Sequence, residues 1–169
     1  MQSNFWLQLL AGPSYKLSVG RYWSITHYVA TLANGAQLNL LYRTGANSVS
    51  IVSEVAAGGN ALIQTYEGAT VTGANYGTPL TITNMNRAYA ATIPALLVYH
   101  TPTLATTGSL MRQGFLAGGA GFGRQGSNLQ AGTNWILKPS TIYLFRVTNL
   151  AGGNIAVSVG QEFCENVGG

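Results

Sequence analysis

The chain has 169 residues and a formal net charge of +4, with 47% hydrophobic and only 7% charged residues. A typical globular chain is about 25% charged, so this composition excludes intrinsic disorder and leaves much neutral surface, which suits a subunit covered by partners better than a free monomer. The four acids are all glutamates (Glu54, Glu67, Glu162 and Glu165), the cations are spaced singly along the chain, and a single cysteine, Cys164, excludes an internal disulfide framework.

The N-terminal run Phe5–Ala11 is apolar but short, with no Lys or Arg before it, so it lacks the charged start of a secretory signal. No segment approaches the roughly 18 consecutive apolar residues of a spanning helix. We expect residues 1–24 to form an extended docking arm whose contact residues are Phe5, Trp6, Leu9, Arg21, Tyr22 and Trp23. Aromatic and Arg side chains are where interface energy concentrates.

From there on apolar residues recur with a period near two, and no long window shows the i, i+3, i+4, i+7 pattern of a helix. Gln37–Arg43 places Leu38, Leu40 and Tyr42 on one face, and Val49–Val55 places Val49, Ile51 and Val55 on one face. The turn Thr44–Asn47 between them predicts a hairpin. Ala61–Glu67 reads as a third strand, and 68–92 as a loop with at most short strands. Ala95–Thr101 is apolar on both faces, as a strand buried between two layers would be. Gly108–Leu116, a glycine loop over 117–126 and Asn134–Pro139 follow. Thr141–Thr148, the turn Asn149–Asn154 and Ile155–Phe163 read as the clearest hairpin, with Ile155, Val157 and Val159 alternating against smaller residues. About ten short strands without helical crossovers predict an all-β fold, an antiparallel β-sandwich of jelly-roll type over residues 25–169.

The sequence offers little chemistry. Gly121-Phe-Gly123-Arg-Gln-Gly126 fits G-x-G-x-x-G, but no helix pattern follows it and no Asp exists to hold a ribose, so it reads as a loop. Cys164 with His27 or His100 is the bare minimum for a thiol nucleophile and base, without a local signature around it. No His-x-His or His-x-x-x-His pair offers metal ligands on a common face. The four glutamates lie in the C-terminal tail or at strand ends rather than as a pair suited to glycoside hydrolysis. Scattered cations make a poor nucleic-acid surface, since backbone binding needs several positive charges on one face. An outer-membrane barrel is opposed by the lack of a consistent lipid-facing apolar stripe. The expectation is a non-enzymatic protein with no cofactor or metal, binding neither nucleic acid nor membrane.

The runs Leu32–Gly45 and Ala57–Gly68, the turn Tyr99–Pro102 and above all Trp135–Asn149 resemble a family of small virion proteins of tailed bacteriophages, described as head decoration or capsid cement proteins. The resemblance spans approximately residues 25–163. It implies a jelly-roll sandwich, commonly a homotrimer, on the outer surface of the phage head. There it would bridge subunits of the major capsid protein and stabilise the lattice. The family brings no catalytic residues. The alternative expectation is a virion tail or fibre module that binds host-surface glycans.

Overall fold

A computed structural model describes residues 20–89, 92–118 and 135–166. Thirteen strands follow in chain order: β1 Trp23–Leu32, β2 Gln37–Arg43, β3 Ser48–Ala57, β4 Ala61–Glu67, β5 Thr70–Val71, β6 Thr78–Pro79, β7 Thr83–Asn84, β8 Leu97–His100, β9 Leu104–Thr106, β10 Ser109–Leu116, β11 Trp135–Leu137, β12 Ile142–Asn149 and β13 Ile155–Asn166. Two short 3-10 turns, Thr72–Ala74 and Arg87–Tyr89, are the only helical elements among the described residues.

The strands form an antiparallel five-stranded sheet, β11-β3-β13-β1-β7, facing a six-stranded sheet, β10-β4-β12-β2-β8-β6. Apart from the step from β4 to β10, the eight principal strands alternate between sheets as the chain advances, giving β1-β13-β3-β11 opposite β2-β12-β4-β10. This double wrapping is the jelly roll. The fold is therefore an all-β antiparallel sandwich, as the alternating pattern predicts.

The inward faces carry the residues that the period of two assigns to them. Leu38, Leu40 and Tyr42 from β2, Val49, Ile51 and Val55 from β3, and Ile155, Val157 and Val159 from β13 all join one buried core. What differs is the pairing. The expected hairpin of 37–43 with 49–55 does not form, because β2 pairs with β12 and β8 while β3 pairs with β13 and β11. The expected hairpin of 141–148 with 155–163 also fails, since β12 and β13 belong to opposite sheets. In each case the intervening turn crosses the sandwich, so two one-sided apolar strands meet face to face across the core.

Part of the long excursion between β4 and β10, carrying Ala69, Val71, Tyr76 and Leu104, forms a third layer over part of the six-stranded sheet, while β6 and β8 of the same excursion extend that sheet and β7 joins the five-stranded one. Leu41 and Leu144 point away from the main core into a second cluster with Ala69, flanked by Tyr66, Val71, Tyr76, Tyr99, Leu104 and Ile142. The short β5-β9 ribbon belongs to this layer. Strand β8 is only partly as expected: Val98 is buried in the main core and Tyr99 packs in the second cluster, but Leu97 is exposed because β8 lies near the sheet margin. Gly108 makes the return into β10 possible. Its φ is +82°, and a Cβ there would lie 2.3 Å from the Glu67 carbonyl oxygen.

The boundary drawn between residues 24 and 25 falls inside β1, which starts at Trp23. Phe5, Trp6, Leu9 and the rest of 1–19 lie outside the described residues, as does most of the glycine loop 117–126.

Candidate interaction surfaces

The three contact residues expected near the start of β1 have different fates. Arg21 is exposed. Tyr22 is half-buried and donates its hydroxyl proton to Oε2 of Glu162 at 2.8 Å. Burial, with that carboxylate second, pushes the Tyr22 phenol up to about 12. Trp23 is not a surface anchor: it is 2% exposed, stacks on Phe163 with ring centroids 5.6 Å apart, and donates Nε1–H to the Thr92 carbonyl at 3.1 Å. Its register explains the burial, because Trp23 pairs with Phe163 and so sits on the inward side of the sheet.

The outward face of the five-stranded sheet mixes short side chains with Tyr28 and two glutamates. The registers of β1, β13 and β3 place three rows side by side: Tyr28, Ser158 and Ala56; Thr26, Gly160 and Glu54; Ser24, Glu162 and Val52. A Cβ added at Gly160, in the centre of this grid, would meet nothing within 4 Å. Tyr28 stands 65% exposed at one margin. Among the described residues this face lacks the cover that Ala69, Val71, Tyr76 and Leu104 give part of the six-stranded sheet, so the two sheets differ in what lies over them.

One side of the sandwich also ends in an apolar mouth. A cavity of about 50 Å³ reaches in between the two sheets, lined by Ile51, Val55, Ile63, Leu137 and Phe145 with Arg112 and Trp135 beside them. At its inner end Tyr42 donates its hydroxyl proton to Oε1 of Gln161, and Gln161 donates Nε2–H to Ser53 Oγ at 3.0 Å. Burial drives the Tyr42 phenol far above its ordinary value. The space suits a few waters or one branched side chain, not a substrate. The strands flanking this side, β10 and β11, carry Leu110, Met111, Phe115 and Ile136 exposed. Sequence reasoning missed these four; the consecutive Leu110-Met111 in a strand with a single charge was the available signal.

His27 and His100 come together, from β1 and β8 on opposite sheets, with ring centroids 4.7 Å apart. Cys164 is buried away from them on the far end of β13. Among the described residues no group of three or more His, Cys, Asp or Glu is arranged to hold a metal ion, and no helix is long and apolar enough to cross a membrane. Glu67 accepts hydrogen bonds from Lys138 Nζ at 2.7 Å and Tyr143 Oη at 3.1 Å, and the lysine holds its carboxyl below the ordinary value. Glu165 is buried and accepts the Leu96 backbone N–H at 2.8 Å. Both carboxylates have structural partners. Compared with known proteins, the chain matches no family model and no curated protein.

Proposed function

We propose that this chain is a non-enzymatic structural protein of a phage virion, a decoration or cement protein that sits as a homotrimer on the outer surface of the head against the major capsid protein. The observation that carries the reading is the asymmetry of the two sheets. One is overlaid in part by the protein's own third layer, and the other presents, among the described residues, an uncovered outward face of mostly short side chains around Gly160, with Glu54 and Glu162 exposed on it. Flat surfaces of this kind bind over area, through many hydrogen bonds and close backbone approach, rather than by enclosing a ligand. Residues 1–19 precede β1 of that same sheet in the sequence, and an apolar arm there could order on a neighbouring capsid subunit.

Cryo-electron microscopy of purified virions tests this directly. Hundreds of copies on a regular head lattice, with the outward face of the five-stranded sheet against capsid, are the expected result; a few copies at the tail, or none in the particle, would refute it. Deleting residues 1–19 should leave a folded domain that no longer occupies heads.

One feature favours the alternative, a tail or fibre module for host glycans. An open basin of about 530 Å³ is lined by Arg43, Thr44, Tyr76 and Ser140, with the Arg43 guanidinium 5.4 Å from the Tyr76 ring centroid. Aromatic faces beside polar groups are what sugar rings stack on. Binding to host-surface polysaccharide that is lost in Tyr76→Ala would favour this reading over cement.

A further inference from the structure

Sheet edges are normally blunted, because a row of unpaired backbone N–H and C=O groups invites another strand. Three of the four outer edges here are so treated. β6 and β7 are two residues long, β6 contains Pro79, and β11 covers three of the described residues. β10 is different. It is eight residues long, has no Pro or Lys, and forms the margin of the six-stranded sheet with no strand beyond it among the described residues. Its one charged side chain, Arg112, lines the cavity, and its one irregularity is a bulge near its start, between Leu110 and Arg112. Phe115 is 54% exposed on this strand and Leu110 52%.

The chemistry of the edge points to its occupant. Read outward from Gln113, the segment Met111-Arg-Gln-Gly-Phe115 is self-complementary in an antiparallel two-fold pairing: Met111 falls opposite Phe115 and Arg112 opposite Gly114, while the bulge turns Leu110 to the outward face beside Met111 and Leu116 stays in the chain's own core. Apolar side chains meet apolar ones, and the lone cation meets a glycine instead of its own symmetry mate, so no like charges are opposed. Ile136, 67% exposed on β11 at the same side of the sandwich, adds apolar surface alongside.

We propose that β10 is a self-association edge, along which two copies of this chain pair antiparallel about a two-fold axis at Gln113, joining their six-stranded sheets into one. This does not rest on the virion reading. Where the chain also forms trimers, the same contact links one trimer to the next.

The test is the particle mass of the full chain by light scattering after size exclusion, together with Met111→Lys/Phe115→Lys, which places two charges on the exposed edge. The expected result is an even multiple of the chain mass that falls by half in the double variant, with far-UV circular dichroism unchanged. A monomer or a lone trimer in the wild type, or an even-numbered particle whose mass the lysines leave intact, would overturn the proposal. Pairing that emerges only after deletion of residues 1–19 would also overturn it, by assigning the edge to that segment. Should the double variant misfold, oxidation of Gln113→Cys supplies the second reading. Only a residue on the two-fold axis faces itself, with Cβ atoms about 4.5–5.5 Å apart. Gln113→Cys should therefore cross-link to a covalent dimer, whereas Gln64→Cys, one strand further in, should not; the reverse pattern, or equal cross-linking at both, counts against it.

Discussion

The Tyr42 hydroxyl donates to the Gln161 side-chain carbonyl at the centre of the sandwich, tying β2 of one sheet to β13 of the other. Both residues are buried, and Gln161 passes the network on to Ser53. Tyr42→Phe removes the donor and leaves a buried acceptor without its partner, at a cost of about 1–3 kcal/mol. Urea denaturation should show this as a lower midpoint with an unchanged slope. A midpoint equal to that of the wild type would mean that water already satisfies Gln161 through the cavity mouth.

Truncation should distinguish the segment before Gly20 from β1. Deleting residues 1–19 removes no described residue and keeps the Gly20 carbonyl that accepts from Asn84, so the remaining domain should melt cooperatively. Deleting 1–24 removes Trp23 with its stacking on Phe163 and its hydrogen bond to Thr92, as well as the β7 pairing. The single substitution Trp23→Ala should already cost about 3–5 kcal/mol, the usual range for truncating a buried large aromatic. Thermal denaturation followed by near-UV circular dichroism separates the cases.

The third layer makes a prediction that runs against the amphipathic pattern. Leu41 and Leu144 sit on the side of their strands facing away from the main core, yet both are fully buried against Ala69, Val71, Tyr76 and Leu104 of the third layer. Leu144→Ala should cost about 2–5 kcal/mol. Tyr28→Ala, on the bare face of the other sheet, should change stability by no more than about 0.5 kcal/mol. Equal small effects at both positions would show that the third layer contributes no real packing.

Acid should weaken the fold in two separable steps. Burial, and secondarily the nearby His100, lower the His27 pKa below its ordinary 6.5, so the unfolded chain binds the proton more readily than the folded one. The stability contribution is then complete above pH 6.5 and is lost as pH falls through the lowered folded value. Glu67 has the same sign in a lower window: its carboxyl is held down by Lys138, so its contribution fades only below the ordinary carboxyl range. Denaturation midpoints from pH 8 to 5 should decline in the wild type and flatten in His27→Gln; an unaltered slope in that variant would remove the histidine pair as the cause.

The period-two alternation alone identified the fold class and most of the inward set, because a strand with one apolar face has only one way to bury it. Leu38, Leu40 and Tyr42, or Ile155, Val157 and Val159, need no tertiary information to be recognised as core. Side-chain period says which face is buried but nothing about which strand lies alongside. Hence both expected hairpins became crossovers between sheets about 10 Å apart, a gap that turns of four to six residues can span. Trp23 shows the same limit at a site. An aromatic near the chain start reads equally as an anchor for a partner or a core residue, and only its register with Phe163 decides for the core. Leu41 and Leu144 became buried, and Leu110 and Phe115 exposed, for a related reason: a residue's neighbours in a jelly roll come from distant parts of the chain, and burial is set by what the tertiary fold lays over it.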